Sequence, residues 1–123
     1  MNRRKIMVID DEKIVGDMAK LTLEQEWYAV ETFLNAEPAL RRLREKKFDV
    51  VVTDYNMQGL DGMEVLKTVK NLHPATQVIM LSAFANFDTV FEGLRRDVHD
   101  FFRMPVKITE LKASIKRALE VAA

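Results

Sequence analysis

The sequence predicts an α/β fold in which a parallel β-sheet is covered by helices. Short apolar runs alternate along the chain with longer segments of helical periodicity. Some of these runs are continuously apolar, as expected of strands that are buried on both faces. Each of four runs ends on a polar or conformationally special residue, and such ends would meet at one edge of a parallel sheet. Strict alternation of strand and helix implies a parallel sheet with helices on both faces.

Five strands follow from these runs. They are predicted to span residues 5–9, 28–33, 49–53, 77–81 and 100–102. The second, from Tyr28 to Phe33, is rich in β-forming residues but less purely apolar than the others. We therefore expect it nearer an edge of the sheet.

The helices are predicted between the strands and at the end of the chain. They cover residues 12–26, 36–46, 63–73 and 87–96, and a last segment from Ile108 to Leu119. The first carries side chains at helical spacing: Ile14, Val15, Met18, Leu21 and Thr22. Asn35 is placed to cap the second helix, with Ala39, Leu40 and Leu43 facing inward. The stretch from Gly59 to Gly62 is predicted as a loop.

Composition restricts the class of protein. The 123 residues suit one domain over 1–123, with 48% hydrophobic and 31% charged residues, as in a globular protein. The 19 basic and 19 acidic residues balance, which gives no indication of direct nucleic-acid or membrane binding. Without cysteine there is no disulfide framework and no zinc–thiolate site. The basic N-terminus is followed by too short an apolar stretch for a signal peptide, so we expect a cytoplasmic protein.

Polar residues at three strand ends suggest phosphoryl chemistry. Asp10 and Asp11 follow the first strand, Asp54 follows the third, and Ser82 follows the fourth. Three carboxylates so close together are unfavourable unless a cation neutralises them, and oxygen ligands with room for water favour Mg²⁺. Asp54 could then act as a nucleophile and form an aspartyl phosphate, with Ser82 bonded to a phosphoryl oxygen.

Each residue also has a structural interpretation. An acidic pair after a strand can simply cap a helix, an aspartate ending a strand is often a turn residue, and a lone serine is often a loop hydroxyl. Phe101 and Phe102 are typical core residues. The co-occurrence of the polar residues at successive strand ends favours the functional interpretation.

The chain resembles the receiver domains of response regulators, the phospho-acceptor modules of two-component signalling, over nearly its whole length. The matching segments are Ile9-Asp10-Asp11-Glu12, the stretch from Asp54 to Gly62, Leu81-Ser82-Ala83, and the stretch from Asp100 to Pro105. The resemblance implies a flavodoxin-like (βα)5 fold with strand order 2-1-3-4-5. It also implies a module that is phosphorylated by a partner and is not itself an enzyme.

The resemblance assigns roles by position. Asp54 matches the phosphorylated aspartate, and Mg²⁺ would be held by Asp10, Asp11 and Asp54 together with the backbone carbonyl of Asn56. Ser82 matches the switch hydroxyl, and Phe101 matches the switch aromatic that moves inward when the hydroxyl is drawn to the phosphate.

The lysine that the family usually has in this site is replaced. Met104 stands where the family usually has a lysine, before Pro105, which is a candidate for a cis peptide bond. Arg103 could substitute for the lysine only if the strand end bulges, because adjacent strand residues point to opposite faces. Phe84 matches a position at the lip of the phosphorylation site.

Three functional classes remain open. The first is a receiver that accepts a phosphoryl group from a sensor histidine kinase or a phosphotransfer protein. It would then act on a downstream effector, or dimerise, through the face formed by the helix at 87–96, the fifth strand and the last helix. The second is a pseudo-receiver that binds proteins independently of phosphorylation. The third is a Mg²⁺-dependent phosphatase, which the sequence disfavours because Asn56 stands where such enzymes have a second acid.

Overall fold

The computed structural model describes residues 2–56, 62–83 and 97–122. The strands are β1 (Lys5–Ile9), β2 (Ala29–Phe33), β3 (Val50–Asp54), β4 (Gln77–Ser82) and β5 (Asp100–Arg103). The described helices are α1 (Lys13–Glu24), α2 (Ala36–Glu45), α3 (Gly62–Leu72) and a C-terminal helix (Ile108–Ala122). The helix predicted over 87–96 and the loop residues 57–61 lie outside the described residues.

All five strands pair in parallel in one sheet of order β2-β1-β3-β4-β5. The predicted fold class and strand order are therefore confirmed. Because every strand runs the same way, the carboxyl ends of β1, β3 and β4 lie at one edge of the sheet. Asp10, Asp54 and Ser82 are at those ends.

Alternate strand residues supply two cores, one on each face of the sheet. The core beneath α2 and α3 contains Met7, Val51 and Met80, which are fully buried. The core beneath α1 and the C-terminal helix contains the neighbouring residues of the same strands: Ile6, Val52 and Ile79, also fully buried. Strands covered on both faces explain the continuous apolar runs in the sequence.

The element boundaries differ from prediction by a few residues, and two local details were wrong. Asn35 occupies the N-cap position of α2, but its side chain makes no capping hydrogen bond. Gly62 was predicted as loop and instead begins α3. A side chain could not replace its hydrogen easily, because a Cβ there would lie 2.8 Å from the Tyr55 Cα and 2.9 Å from the Asp54 carbonyl oxygen.

Three of the five residues whose spacing predicted α1 do not face the core. The buried residues of α1 are Gly16, Ala19 and Leu23. By contrast, the exposed fractions of Ile14, Met18 and Leu21 are 69%, 56% and 60%; we call these three residues the α1 stripe. Small residues on the inner face let the helix lie close to the sheet, since even a Cβ on Gly16 would be in ordinary contact with Thr32. The three large side chains of the α1 stripe are left on the outer face, whereas Leu23 is buried.

Trp27 ends the turn after α1 at the amino end of the sheet. Its φ of 66° is in the left-handed region, which favours glycine, and its amide donates to the carbonyl of Glu24. Its ring is half-exposed, and the Arg3 guanidinium lies 5.0 Å from the ring centroid. Among the described residues, no helix is both long enough and apolar enough to cross a membrane.

Candidate functional site

Three carboxylates converge where β1 and β3 end. Asp10 follows β1 and is buried, Asp11 is exposed, and Asp54 is the half-buried last residue of β3. One carboxylate oxygen of each lies within 4.8 Å of the others, a separation that allows all three to contact one metal ion. The structure thus brings together the three acids that the strand-end pattern selected.

Backbone amides hold two of these carboxylates in place. The Glu12 amide donates to Asp10 Oδ1 at 2.9 Å, and the Asn56 amide donates to Asp54 Oδ1 at 3.2 Å. Helix α1 begins at Lys13 with Glu12 at its N-cap, so neither Asp10 nor Asp11 caps it. Within the described part of the chain, these amide bonds orient Asp10 and Asp54 through one oxygen of each carboxylate.

Burial and mutual repulsion raise the pKa of both held carboxyls. Burial is the main cause at Asp54, and the charges of Asp10, Asp11 and Glu12 add to it, so its pKa rises from 3.8 to about 6. Burial also raises the pKa of Asp10, with smaller contributions from Asp11 and Glu12, while the Glu12 amide opposes the rise. Burial and the neighbouring negative charges destabilise the ionised form of these acids, and a bound cation would offset both effects.

The residues fit a hard divalent cation. They offer carboxylate oxygens, the ligand type that Mg²⁺ prefers, and two of them are anchored by backbone hydrogen bonds. The described part of the chain contains one such group of acids.

The predicted switch residues lie on β4 and β5, the two strands beyond β3 in the sheet. Ser82 ends β4 and is buried, which places it in the sheet and not in a loop. Phe101 on β5 is 6% exposed and packs in the core beneath α2 and α3. Its ring contacts that of Tyr55, with centroids 6.3 Å apart, and no pattern in the sequence predicts this contact. Phe84 lies outside the described residues.

Met104 is half-buried at the end of β5, and its peptide bond to Pro105 is cis. The side chain packs against the core beneath α1 and the C-terminal helix, and the Met104 amide donates to the carbonyl of Ser82 at 2.7 Å. Arg103, the candidate substitute for a lysine, is exposed and lies opposite Ser82 in the β4–β5 pairing.

An apolar groove of about 270 Å³ lies between α1 and the end of β5. It is lined by the α1 stripe residues Ile14 and Met18 and, on the other side, by Met104, Pro105 and Ile108. Leu81, which immediately precedes Ser82, also lines it. The groove therefore joins the exposed stripe on α1 to the edge of the sheet where the carboxylates meet.

Comparison with known proteins identifies the family. The model of the response regulator receiver domain matches residues 6–116. The chain therefore belongs to the receiver-domain family, whose members are signalling modules rather than enzymes.

Relatives and solved structures agree with this assignment. The chain is 32% identical over 117 residues to the nitrogen assimilation regulatory protein NtrX of Azorhizobium caulinodans, covering 94% of this chain and 26% of that protein. It therefore spans about a quarter of the length of such relatives. A CheY-like receiver domain from Methanospirillum hungatei superposes with a TM-score of 0.91 at 25% identity, covering 98% and 97% of the two chains. A receiver domain from Clostridium thermocellum gives 0.87 at 31% identity, covering 95% and 94%.

Proposed function

We propose that this chain is a cytoplasmic phospho-acceptor of a two-component system, phosphorylated on Asp54 in the presence of Mg²⁺. The observation that carries the proposal is the convergence of Asp10, Asp11 and Asp54 in a member of the receiver family. Mg²⁺, held by these carboxylates and the Asn56 carbonyl, would supply positive charge against the repulsion between Asp54 and an anionic donor.

The chain's own groups account for the transfer step. An oxygen of the Asp54 carboxylate attacks phosphorus, a P–N bond to the donor histidine breaks, and the imidazole leaves with the electron pair and takes up a proton. The Asn56 amide donates to Asp54 Oδ1 and so orients the carboxylate, and we assign the attack to the other oxygen, Oδ2. Ser82, at the end of the adjacent strand, would donate a hydrogen bond from its hydroxyl to a phosphoryl oxygen.

Phosphorylation can be tested by intact mass. After treatment with acetyl phosphate and Mg²⁺, the wild-type protein should gain one phosphoryl group and Asp54→Asn should gain none. Asp17→Asn is the matched control, because Asp17 is an exposed acid on α1 paired with Lys13. The absence of an adduct at any Mg²⁺ concentration would favour the pseudo-receiver alternative, for which Met104 is the supporting feature.

Metal binding has its own readout. A ligand that binds only the native state raises the melting temperature by mass action, so millimolar Mg²⁺ should stabilise the wild-type protein. Asp11→Asn, at the exposed member of the cluster, should weaken that stabilisation. An unchanged wild-type melt would contradict a formed metal site.

The partner we propose is a sensor histidine kinase or phosphotransfer protein that docks on the α1 stripe. Three large apolar side chains are exposed there, and the adjoining groove extends to Leu81, the residue before Ser82 at the end of β4. An exposed apolar patch of this kind is typical of a protein interface. Met18→Glu should slow transfer from the partner protein and leave phosphorylation by acetyl phosphate unchanged. Equal slowing of both would show that the variant damages the acceptor site instead.

A second surface is proposed for output. It comprises β5, the C-terminal helix and the helix predicted over 87–96, and it would contact an effector or a second copy of the chain. A solved structure of a related receiver, the beryllofluoride-activated NtrC4 receiver domain, is a dimer, with a TM-score of 0.88 at 25% identity. Sedimentation with and without beryllofluoride would test whether this chain dimerises on activation.

A further inference from the structure

Tyr55 connects the acceptor strand to the strand that carries Phe101. The two rings lie with centroids 6.3 Å apart and planes inclined by 42°, within the range of favourable aromatic pairs. Tyr55 directly follows Asp54 at the end of β3, whereas Phe101 is on β5. Because β4 separates these strands in the sheet, the ring contact links two strands that share no ladder of backbone hydrogen bonds.

The backbone of Tyr55 is held on both sides. Its amide donates to the carbonyl of Leu81 at 2.7 Å, and its carbonyl accepts the Gly62 amide at 2.6 Å. Gly62 also approaches so closely that a Cβ would lie 2.8 Å from the Tyr55 Cα. The Tyr55 backbone is thus tied to β4 and to α3 at the point from which the ring extends.

Phe101 packs in the same core against which the Tyr55 ring lies. It is 6% exposed and belongs to the core beneath α2 and α3, and Tyr55 is a half-buried residue at the border of that core. The Tyr55 ring therefore covers part of the surface that a buried Phe101 presents. Removing that ring would open one side of the space that Phe101 occupies.

We propose that Tyr55 is a positioning residue that stabilises the buried position of Phe101 and so couples the acceptor strand to the switch on β5. This inference rests on the proposed function, because it concerns the regulation of the same site. It adds a second control on Phe101 besides the Ser82 hydroxyl. Tyr55, the residue next to Asp54, would then help to set the fraction of molecules in which the Phe101 ring is buried.

The test measures the environment of Phe101 by NMR, with phenylalanine labelling and a soluble paramagnetic agent that broadens exposed rings. Tyr55→Leu keeps an apolar side chain but removes the ring, and Tyr55→Phe keeps the ring but removes the hydroxyl. The energy of an aromatic pair corresponds to a change of about two- to ten-fold in the ratio of outward to inward Phe101. We expect that increase in Tyr55→Leu and near-wild-type behaviour in Tyr55→Phe.

A matched control separates coupling from general loss of stability. Tyr28 is also a half-buried tyrosine, but it packs on the core beneath α1 and the C-terminal helix. Tyr28→Leu should leave the Phe101 signals unchanged even if it lowers the melting temperature. The proposal is overturned if Phe101 is equally protected in Tyr55→Leu and wild type, or if Tyr28→Leu exposes it to the same degree. Should Tyr55→Leu fail to fold, Tyr55→Met offers a longer apolar side chain without a ring for the same comparison.

The outcome is distinguishable from failure of the proposed function. The Phe101 measurement is made in metal-free protein and again with Mg²⁺ and beryllofluoride, whereas the Asp54 adduct is measured separately by mass. If the wild-type protein takes up no phosphoryl group but Tyr55→Leu still exposes Phe101, the acceptor role is refuted and the ring coupling stands. If the wild-type protein is phosphorylated normally but Tyr55→Leu does not change the exposure of Phe101, the ring coupling is refuted and the acceptor role stands.

Discussion

Replacing Asp54 by asparagine should stabilise the metal-free protein at neutral pH. The carboxyl is half-buried beside Asp10 and Asp11, and its pKa is raised from 3.8 to about 6. Between those two pH values the native state holds a proton that the unfolded chain has released, so stability falls as the pH rises through the window. Above about pH 6 the full cost is present, and asparagine removes it.

The size of the effect follows from the same pKa. A rise from 3.8 to about 6 corresponds to at most about 3 kcal/mol, at ~1.4 kcal/mol for each tenfold change in proton affinity. Solvent screening of a half-exposed carboxylate reduces this, and we expect a gain of about 1–2 kcal/mol at pH 7.5. Asparagine keeps an oxygen that can accept the Asn56 amide, so that hydrogen bond is not lost with the charge.

Urea unfolding in the presence of EDTA, at pH 4 and pH 7.5, measures this difference. The free energy of unfolding of Asp54→Asn should exceed that of the wild type at pH 7.5. The two values should match near pH 4, where the native carboxyl is protonated. Asp17→Asn removes the same charge from an exposed acid and should change stability by less than about 0.5 kcal/mol. A gain for Asp54→Asn that is equal at both pH values would refute the electrostatic explanation.

Three further outcomes are expected. Gly62→Ala should lower the free energy of unfolding in urea by about 1–3 kcal/mol, because its Cβ would clash with the backbone of Asp54 and Tyr55. Gly16→Ala has room for a Cβ and should raise that free energy by up to about 1 kcal/mol. Equal effects of the two substitutions would contradict the close approach at Gly62. Met104→Lys should enlarge the beryllofluoride-induced amide shifts on β5 and the C-terminal helix without changing Mg²⁺ affinity. The reason is that a charge-assisted bond to the phosphoryl group contributes on the order of 1.5–3 kcal/mol. A full shift in the wild type would show that methionine suffices. Phe84→Asn should speed loss of the phosphoryl group, because an amide can orient the attacking water, and identical decay in variant and wild type would argue against a role at the lip.

The sequence predicted the sheet and the acidic cluster because both depend on strands. A strand buried on both faces leaves a continuous apolar run, and a parallel sheet brings together whatever follows each run. Asp10 and Asp54 could therefore be paired from their positions alone, although they are far apart in the chain.

The orientation of α1 could not be predicted in the same way. Its sequence offers two faces at helical spacing, one of large apolar residues and one containing Gly16 and Ala19. Periodicity favours the more apolar face, but close packing on the sheet requires the smaller one. Exposure of Ile14 and Met18 was decided by that packing.

Tyr55 was missed for another reason. Its importance lies in a contact with Phe101, 46 positions away along the chain, which no local pattern encodes. Gly62 is similar, since a glycine after a loop suggests a turn, and only the fold reveals the backbone that it approaches.

Trp27 gives the experimenter a reporter that is separated from the acceptor site. It is the single tryptophan of the chain and lies at the amino end of the sheet, whereas Asp54 is at the carboxyl end. The five residues of a strand such as β2 place about 16 Å between those edges. Its fluorescence should therefore follow global unfolding and remain insensitive to metal or phosphoryl binding. An engineered Tyr55→Trp in a Trp27→Phe background would move the optical signal to the residue beside the acceptor.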